Sequence, residues 1–350
     1  KNISVISTGS WVPPDLNNQH KAAQTYNVQI EKLMLDASIG IHDHEKQKKQ
    51  KISISLSIKV NDNIADVDEN TGQMTPSGLL NCIKKNKLKK IDLVVTMYNG
   101  GCPLNAKEFF KLKKKFKFKI LEDACHALGA NYINTKSRVG SCKFSDICVF
   151  SFHPQKTITT GEGGMVTTNN KKYFKQMLIH RNHGIERKSS TKRYFNWRYV
   201  VKNPSFNFRL SELNCALGFA QLDKVSLFIK KRVEIAKIYN KIFESNKCIE
   251  KFPQKYSKLS NAWHLYFIKI KKSSKIKRDI LMQKLYRKGI LSQVHYIPIF
   301  LQPKYVKLKK QDKFIGAMKF FNETISIPIY PKLSLREVRK IGSVVNKLTN

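Results

Sequence analysis

The chain has 350 residues, 41% of them hydrophobic, which is enough for one large or two ordinary domains with a sizeable core. No apolar run reaches the length of a membrane span, and no apolar segment follows a basic one at the start, so we expect neither a membrane span nor a secretory signal. The net charge of +40 suggests nucleic-acid binding. However, the lysines are spread along the whole chain as on solvated helix faces, so nucleic acid is not an expected partner, and a basic binding protein without chemistry remains the lesser alternative.

The seven cysteines are scattered along the chain. Their number is odd and no pair has CxxC spacing, which favours a reducing compartment over a disulfide framework or a zinc site. The sequence therefore predicts a cytoplasmic protein without a bound metal.

The first 63 residues follow a pattern of their own. ISISLSIKV (52–60) alternates strictly between apolar and polar residues, which is typical of an antiparallel strand with one buried face. This strand does not continue the rhythm of the region that follows it. Residues 1–63 are therefore predicted to form an atypical N-terminal segment.

Short apolar runs alternate with helix-periodic runs from about residue 64 onward. A strand–helix–strand order with short links predicts an α/β domain, here residues 64–250, with a mostly parallel sheet covered by helices. Its strands are predicted at 91–98, 118–124, 146–153 and 164–169, and a helix at 105–116.

A smaller C-terminal α+β domain is predicted for residues 251–350. One long helix, which begins at an N-cap on Ser211 and runs to about residue 245, precedes it. The proline-containing stretch 251–261 marks the junction. The smaller domain has a predicted strand at 263–270, a helix at 277–289, an apolar segment at 291–297 and a last helix after Ser334.

Two polar residues follow neighbouring predicted strands. Asp123 and Lys156 come at the carboxyl ends of these strands, where ligands bind in open α/β sheets. A lysine amine can form a Schiff base with an aldehyde cofactor, and an aspartate facing a pyridine nitrogen keeps that nitrogen protonated. Pyridoxal 5'-phosphate (PLP) needs both groups. Ser151 and the TGEGG turn (160–164) offer a hydroxyl and accessible backbone N–H groups for its phosphate.

Four long motifs resemble the DegT/DnrJ/EryC1/StrS family of PLP-dependent sugar aminotransferases. They are EDACHALGA (122–130), FSFHPQKTITTGEGGMVTTN (150–169), RNHGI (181–185) and FNFRLSELNCALGFAQL (206–222). The resemblance extends from about residue 64, with DVDENTGQMTP (66–76), to SIPIYPKLS (326–334). It implies the PLP-dependent transferase fold of type I and a homodimer whose active sites form between the subunits.

The resemblance also implies a cofactor site. Lys156 would carry the cofactor and move protons, Asp123 would bind the pyridine nitrogen, and Ser151 would contact the phosphate. His126 would lie near the ring hydroxyl or the sugar, or else be a packed histidine beneath the site. Asn207 would reach the phosphate in the other subunit's site.

The implied substrate site uses further residues. Glu162 would line the sugar pocket, and Arg181 and His183 would either bind substrate or hold a loop or the subunit interface. MYNGGCP (97–103) and SQVHYIPIFLQPKY (292–305) resemble the branch that makes the 4-amino sugar of pseudaminic acid, which places His295 and Tyr296 at the substrate. Phe300 departs from that branch, where a second histidine is expected, so the exact sugar stays open.

The implied reaction is a two-stage transfer of an amino group. L-Glutamate is the donor, and a 4-keto-6-deoxy sugar linked to a nucleotide is the acceptor, in the biosynthesis of amino sugars and surface glycans. Lys156 would move the proton in both stages, and ping-pong kinetics would follow.

Residues 30–62 resemble the first part of dihydroneopterin aldolase. Glu45 would match its pterin-anchoring acid, or be a solvated loop acid, so a folate-pathway protein is the alternative function. The segment that precedes DVDENTG in the aminotransferases, with its phosphate-binding turn and stacking aromatic residue, has no counterpart in residues 1–63, which predicts weaker cofactor binding. A natural rearrangement and a sequence joined from two reading frames or two genes both remain open. The second is favoured because the junction removes an essential part of each enzyme.

Overall fold

The computed structural model describes residues 65–187, 198–201, 203–252, 261–303 and 314–350, together with the backbone of three earlier strands. These strands are β1 (Val5–Ile6), β2 (Thr25–Ala37) and β3 (Gln50–Asn61). β2 and β3 pair antiparallel, as the alternation at 52–60 predicts. Glu45 lies outside the described residues, so its assignment stays a prediction.

A five-stranded sheet forms the centre of the larger part. Its strand order is β1-β4-β5-β6-β7. The first four strands are parallel and β7 runs antiparallel to β6, so the predicted mostly parallel sheet is confirmed. The four later strands are β4 (Leu93–Met97), β5 (Lys119–Asp123), β6 (Ile147–Ser151) and β7 (Gly164–Thr167).

Five helices accompany this sheet in the described residues. The first begins where the Thr75 hydroxyl accepts the Gly78 N–H at 3.0 Å and Pro76 occupies the first turn, which suits its fixed φ. A short two-stranded ribbon follows the third helix. The helices are α1 (Pro76–Lys85), α2 (Ala106–Phe116), α3 (Lys171–Arg181), α4 (Glu212–Leu222) and α5 (Val225–Ile242), and the ribbon strands are β8 (Ile185–Glu186) and β9 (Val200–Val201).

The single long helix predicted from Ser211 is wrong, because the structure divides it into α4 and α5. Ser211 is the predicted N-cap, and its hydroxyl accepts the Asn214 N–H at 3.3 Å. The two helices lie in different environments. Only Gly218 of α4 is buried, whereas α5 buries a row of side chains in the protein core, so one straight helix cannot satisfy both.

A three-stranded antiparallel sheet and three helices form the smaller part. Its last helix begins with a capping box formed by Ser334 and Glu337. The predicted apolar segment at 291–297 forms no strand and makes one isolated bridge, from Gln293 to Ser326. The elements are β10 (Ile249–Lys251), β11 (Tyr266–Ile270), β12 (Thr324–Ile327), α6 (Arg278–Tyr286), α7 (Ile315–Glu323) and α8 (Leu335–Thr349), of which β10, α7 and β12 were not predicted.

Helix α5 belongs to both hydrophobic cores. Val225 and Ile229 pack in the core of the larger part, and Ile235 and Tyr239 pack in the core of the smaller part. The helix therefore couples the two parts across the predicted boundary at residue 250, which itself stays a prediction. Within the described ranges, no helix combines the length and apolar character needed to cross a membrane.

Candidate active site

The carboxyl ends of β5 and β6 bring the two key residues to one edge of the sheet. Asp123 is the last residue of β5 and pairs in register with Val149 of the parallel strand β6. Its Oδ1 accepts the Cys125 N–H at 3.1 Å, which fixes the carboxylate at the start of the next turn. Lys156 lies in the turn after β6, where its N–H bonds the carbonyl of His153 at 2.9 Å.

The Lys156 amine has an environment that favours its neutral form. Burial lowers the pKa of Lys156, and the nearby groups of Cys125 and Asp123 oppose this effect only in part. The Asp123 carboxylate is thus close enough to act on the amine, although no ion pair within 4.0 Å joins these two described residues. The neutral amine is the form that attacks a carbonyl, and a lowered pKa increases its fraction.

His126 lies close enough to Lys156 for the charge of the amine to act on its ring, and the group of residues around Lys156 is called the Lys156 pocket below. It is buried, and burial together with the Lys156 charge holds its pKa well below the ordinary value, so the ring is neutral at physiological pH. Its Nε2 lies 3.5 Å from the hydroxyl of Tyr296. His126 is therefore a packed histidine that also lies close to Lys156. A position beneath the site and a position near the ring hydroxyl or the sugar do not exclude each other.

His295 and Tyr296 reach this pocket from the smaller part. Burial and Lys156 lower the pKa of His295 to about 4, and its Nδ1 lies 2.8 Å from the Ser326 hydroxyl. Burial first, and then the charge of Asp123, raises the pKa of Tyr296, so its hydroxyl keeps its proton. The structure thus brings together five of the predicted residues, whose roles stay predictions: Asp123, His126, Lys156, His295 and Tyr296.

Ser151 and Glu162 lie at the margin of this group. Ser151 ends β6, and its hydroxyl accepts the His153 N–H at 3.4 Å. The Glu162 side chain is 79% exposed, with its carboxylate 3.9 Å from His153 Nε2. Glu162 therefore stands on the open side of the turn, where a ligand or a second chain could meet it.

Three predicted residues lie apart, on the strand-like contact between 181–185 and 203–209. The His183 N–H bonds the Phe206 carbonyl at 3.1 Å, the Phe208 N–H bonds the Arg181 carbonyl at 3.0 Å, and Asn207 is exposed. In the part of the chain that the structure describes, no hydrogen bond, ion pair or ring contact joins Arg181, His183 or Asn207 to Lys156 or Asp123. One copy of the chain does not bring these residues to the Lys156 pocket.

Sequence reasoning missed His264, Cys125 and the buried acid Glu122. Hydroxyls of Tyr98 and Tyr132 each donate to Glu122 at 2.6 Å, and burial raises the pKa of this acid. The signal for His264 was a histidine inside the apolar segment AWHLYFIKI (262–270), and Cys125 stood inside a quoted motif.

The residues present fit two ends of PLP. The half-buried Lys156 amine, which forms no ion pair with any residue that the structure describes, suits the aldehyde, and the Asp123 carboxylate suits the pyridine nitrogen. Ser151 would meet the phosphate. A lysine and an aspartate so placed at the edge of a mostly parallel sheet define the class, the PLP-dependent transferases of fold type I.

Comparisons with known proteins identify the family. Residues 53–346 match the DegT/DnrJ/EryC1/StrS aminotransferase family, and the chain belongs to it. The chain is 36% identical over 255 residues to the UDP-4-amino-4,6-dideoxy-N-acetyl-beta-L-altrosamine transaminase of Helicobacter pylori, which covers 73% of this chain and 65% of that protein. It is also 33% identical over 291 residues to the uncharacterized protein MJ1066 of Methanocaldococcus jannaschii, covering 81% of this chain and 73% of that protein.

A solved structure agrees with these sequence relatives. The H. pylori PseC, described as an aminotransferase involved in the biosynthesis of pseudoaminic acid, superposes with a TM-score of 0.73 at 32% identity, covering 82% of this chain and 73% of that one. The predicted family, fold type and PLP cofactor are confirmed. The family match begins at residue 53, inside the stretch that resembles dihydroneopterin aldolase, and that alternative function gains no support from these relatives. The chain spans less than two thirds of the H. pylori transaminase.

Proposed function

We propose that this chain transfers the amino group of L-glutamate to a nucleotide-linked 4-keto-6-deoxy sugar, in a PLP-dependent reaction of amino-sugar and surface-glycan biosynthesis. One observation carries the proposal: a half-buried Lys156 amine with a lowered pKa shares a pocket with the Asp123 carboxylate at the carboxyl ends of parallel strands. The names of the H. pylori relatives, a UDP-sugar transaminase and an aminotransferase of a sugar pathway, support the substrate class.

Each residue has a distinct task in this reaction. PLP, when bound, supplies the electron sink for a carbanion. Lys156 moves the proton between the two carbons, because a neutral amine close to the reacting atoms can accept and return it. Asp123 holds a proton on the pyridine nitrogen by its negative charge. His126 and Tyr296, both without charge, orient the substrate by hydrogen bonds.

A homodimer would complete the site. Helix α4 and the loop before it expose large apolar side chains: Leu213 is 84% exposed and Phe219 is 73% exposed. Exposed apolar surface of this kind marks contact sites between proteins. Asn207 lies on the same stretch of chain, so a partner bound there would receive Asn207, and with it Arg181 and His183, at its own Lys156 pocket.

A cytoplasmic location is also part of the proposal. All seven cysteines are free thiols, including four that are buried. Free thiols persist in reducing compartments. Fractionation of the source cells, with the chain detected by antibody, tests the location directly.

Covalent trapping tests the cofactor site. The purified chain is incubated with PLP, reduced with borohydride and digested, and we expect the peptide that contains Lys156 to carry the cofactor. In the same preparation, L-glutamate with a UDP-linked 4-keto-6-deoxy-N-acetylhexosamine should yield 2-oxoglutarate and an amino sugar.

Two variants give the trapping experiment its control. Lys156→Ala should lose both the modified peptide and the formation of 2-oxoglutarate, and Lys172→Ala, on the exposed start of α3, should keep both. Labelling that is spread over many lysines, without preference for Lys156, would refute the proposed cofactor site.

A further inference from the structure

The ring of His126 is oriented by a main-chain donor. The Gly100 N–H points to Nδ1 of His126 at 3.4 Å. An amide N–H can only donate, so Nδ1 carries no proton, and a neutral imidazole then has its single proton on Nε2. That nitrogen faces the Tyr296 hydroxyl at 3.5 Å, so His126 donates to the tyrosine oxygen and leaves the tyrosine proton free.

The turn that supplies this donor needs its glycines. Gly100 and Gly101 have φ values of +78° and +108°. A Cβ on Gly101 would lie 2.7 Å from the His126 carbonyl oxygen, and a Cβ on Gly100 would lie 2.8 Å from the Phe267 ring. The backbone thus approaches His126 as closely as glycine permits.

His264 packs directly on His126. The ring centroids are 4.3 Å apart and the planes are tilted by 37°. His264 is only 8% exposed, yet its Nδ1 has no hydrogen-bond partner among the described residues. A buried nitrogen without a partner is unusual and calls for an explanation. The contact that the structure shows between His264 and His126 is this packing of the two rings, so we argue its effect on His126 from the position of the His264 ring.

The backbone around His264 is held from the opposite side. The Arg232 guanidinium donates from Nη1 to the carbonyls of Trp263 at 3.1 Å and His264 at 3.2 Å. The Ala262 N–H bonds the carbonyl of Gly101 at 3.0 Å, which ties this segment to the same turn that orients His126. These hydrogen bonds fix the backbone of His264, so its ring is held in contact with the ring of His126.

We propose that His264 is a positioning residue: its ring, packed on His126, keeps the His126 imidazole from turning over, so that Nε2–H stays on Tyr296 and the tyrosine proton is directed to the sugar substrate. A flipped His126 would place a carbon where Nδ1 now meets the Gly100 N–H. The substrate part of this inference rests on the proposed function, but the state of the His126 ring does not.

Nitrogen NMR of the histidine side chains tests the inference without cofactor or turnover. In the full chain labelled with ¹⁵N-histidine, the signal lost in His126→Gln identifies His126, and we expect it to show an unprotonated Nδ1 and a protonated Nε2. In the ringless variants His264→Ala and His264→Gln, the His126 ring can turn over and lose its contact with the Gly100 N–H. These variants should therefore show an average of the tautomers protonated on Nδ1 and on Nε2, whereas His264→Phe, which keeps a ring, should retain the original pattern. His180→Ala, on the exposed surface of α3, should change nothing at His126.

The kinetic comparison separates positioning from general damage. In the ringless variants, kcat/KM for the sugar should fall about ten- to a hundredfold, because a misplaced donor misaligns the substrate. The kcat/KM for L-glutamate, which reports the other half of the ping-pong reaction, should stay unchanged. If His126 in the natural chain is protonated on Nδ1, or if its signal is the same in folded ringless variants, the inference is overturned. If the chain transaminates no sugar but the NMR pattern follows His264 as described, the proposed function fails and the positioning role of His264 stands.

Discussion

The pocket around Lys156 and the surface around Asn207 depart from ordinary protein structure in opposite directions. The pocket buries titratable groups: His126 and His264 are buried, and His295 lies close to them. The surface exposes apolar ones, with Leu213 and Phe219 as the largest cases. Both stretches belong to motifs that resemble the same family.

Buried titratable groups and exposed apolar side chains both lower the stability of a folded chain, so each calls for a functional reason. Burying a polar group is unfavourable unless it is hydrogen-bonded, so such groups are kept where they do chemistry. Exposing large apolar side chains is unfavourable in a lone molecule and is relieved when a partner covers them. One chain brings the amine of Lys156 and the acid Asp123 together, and in the proposed dimer a second chain would bring Asn207 to them.

The largest effect is expected from Asp123→Asn in the pocket. The substitution keeps the shape and the acceptor oxygen but removes the negative charge that would hold a proton on the pyridine nitrogen. We expect kcat/KM to fall by about 100-fold or more, within the range of general acid–base effects. Steady-state release of 2-oxoglutarate measures it.

Asp223→Asn is the matched control for this loss. It removes the same charge from an exposed residue just after α4 and should leave the rate unchanged. Equal rates for Asp123→Asn and the natural chain would show that the carboxylate does not act on the cofactor ring.

Mixing two inactive variants tests whether pocket and surface meet across a dimer. Lys156→Ala damages one side of the shared site and Asn207→Ala the other, so each protein alone should be weak. Random exchange of subunits should restore about a quarter of the natural activity, because half of the dimers are hybrids and each hybrid has one intact site. If Asn207 serves its own chain, the mixture will show no gain over the average of its components.

The sheet was predictable because each strand carries its own local signal. The apolar run 91–98 and the run 118–124 became β4 and β5, since buried parallel strands read as continuous apolar segments. The break between α4 and α5 was not predictable in this way. It depends on which face each helix presents to the rest of the molecule, and the apolar sequence of α4 buries only Gly218 whereas α5 buries a row of side chains.

The site residues also fall into those that local sequence predicts and those that contacts between distant segments define. Asp123 and Lys156 could be named from the sequence, because strand ends fix where the chain places them. His264 could not, because its role arises from a ring contact with a residue 138 positions earlier in the sequence, and from a turn at Gly100 that the sequence shows only as two glycines. Contacts between distant segments leave no local pattern.

Leu213→Lys should weaken the proposed dimer. A lysine in an apolar contact loses buried area and brings a charge that must be desolvated, so we expect the midpoint of dissociation to move to at least about tenfold higher concentration. Light scattering coupled to size exclusion, over a dilution series, measures the change. Leu80→Lys, an exposed leucine on α1, is the control and should not alter the mass. A natural chain that is monomeric at all concentrations would contradict the proposal.

The smallest effect concerns the pocket alone and its response to acid. The pKa of His295 is about 4 in the folded chain, against an ordinary value of 6.5, so below pH 6.5 the unfolded chain binds a proton that the folded chain refuses. The contribution of His295 to stability is therefore present above pH 6.5 and is lost as the pH falls toward 4.

His295→Gln should reduce the loss of unfolding free energy between pH 7 and pH 5 by on the order of 2 kcal/mol, as urea titrations would show. His180→Gln, which alters an exposed ring, should lose stability with acid as the natural chain does. If the unfolding free energies of His295→Gln and the natural chain change in parallel with pH, water reaches the His295 ring freely. The pocket around Lys156 would then not be closed to solvent, and its contrast with the exposed surface around Asn207 would be wrong.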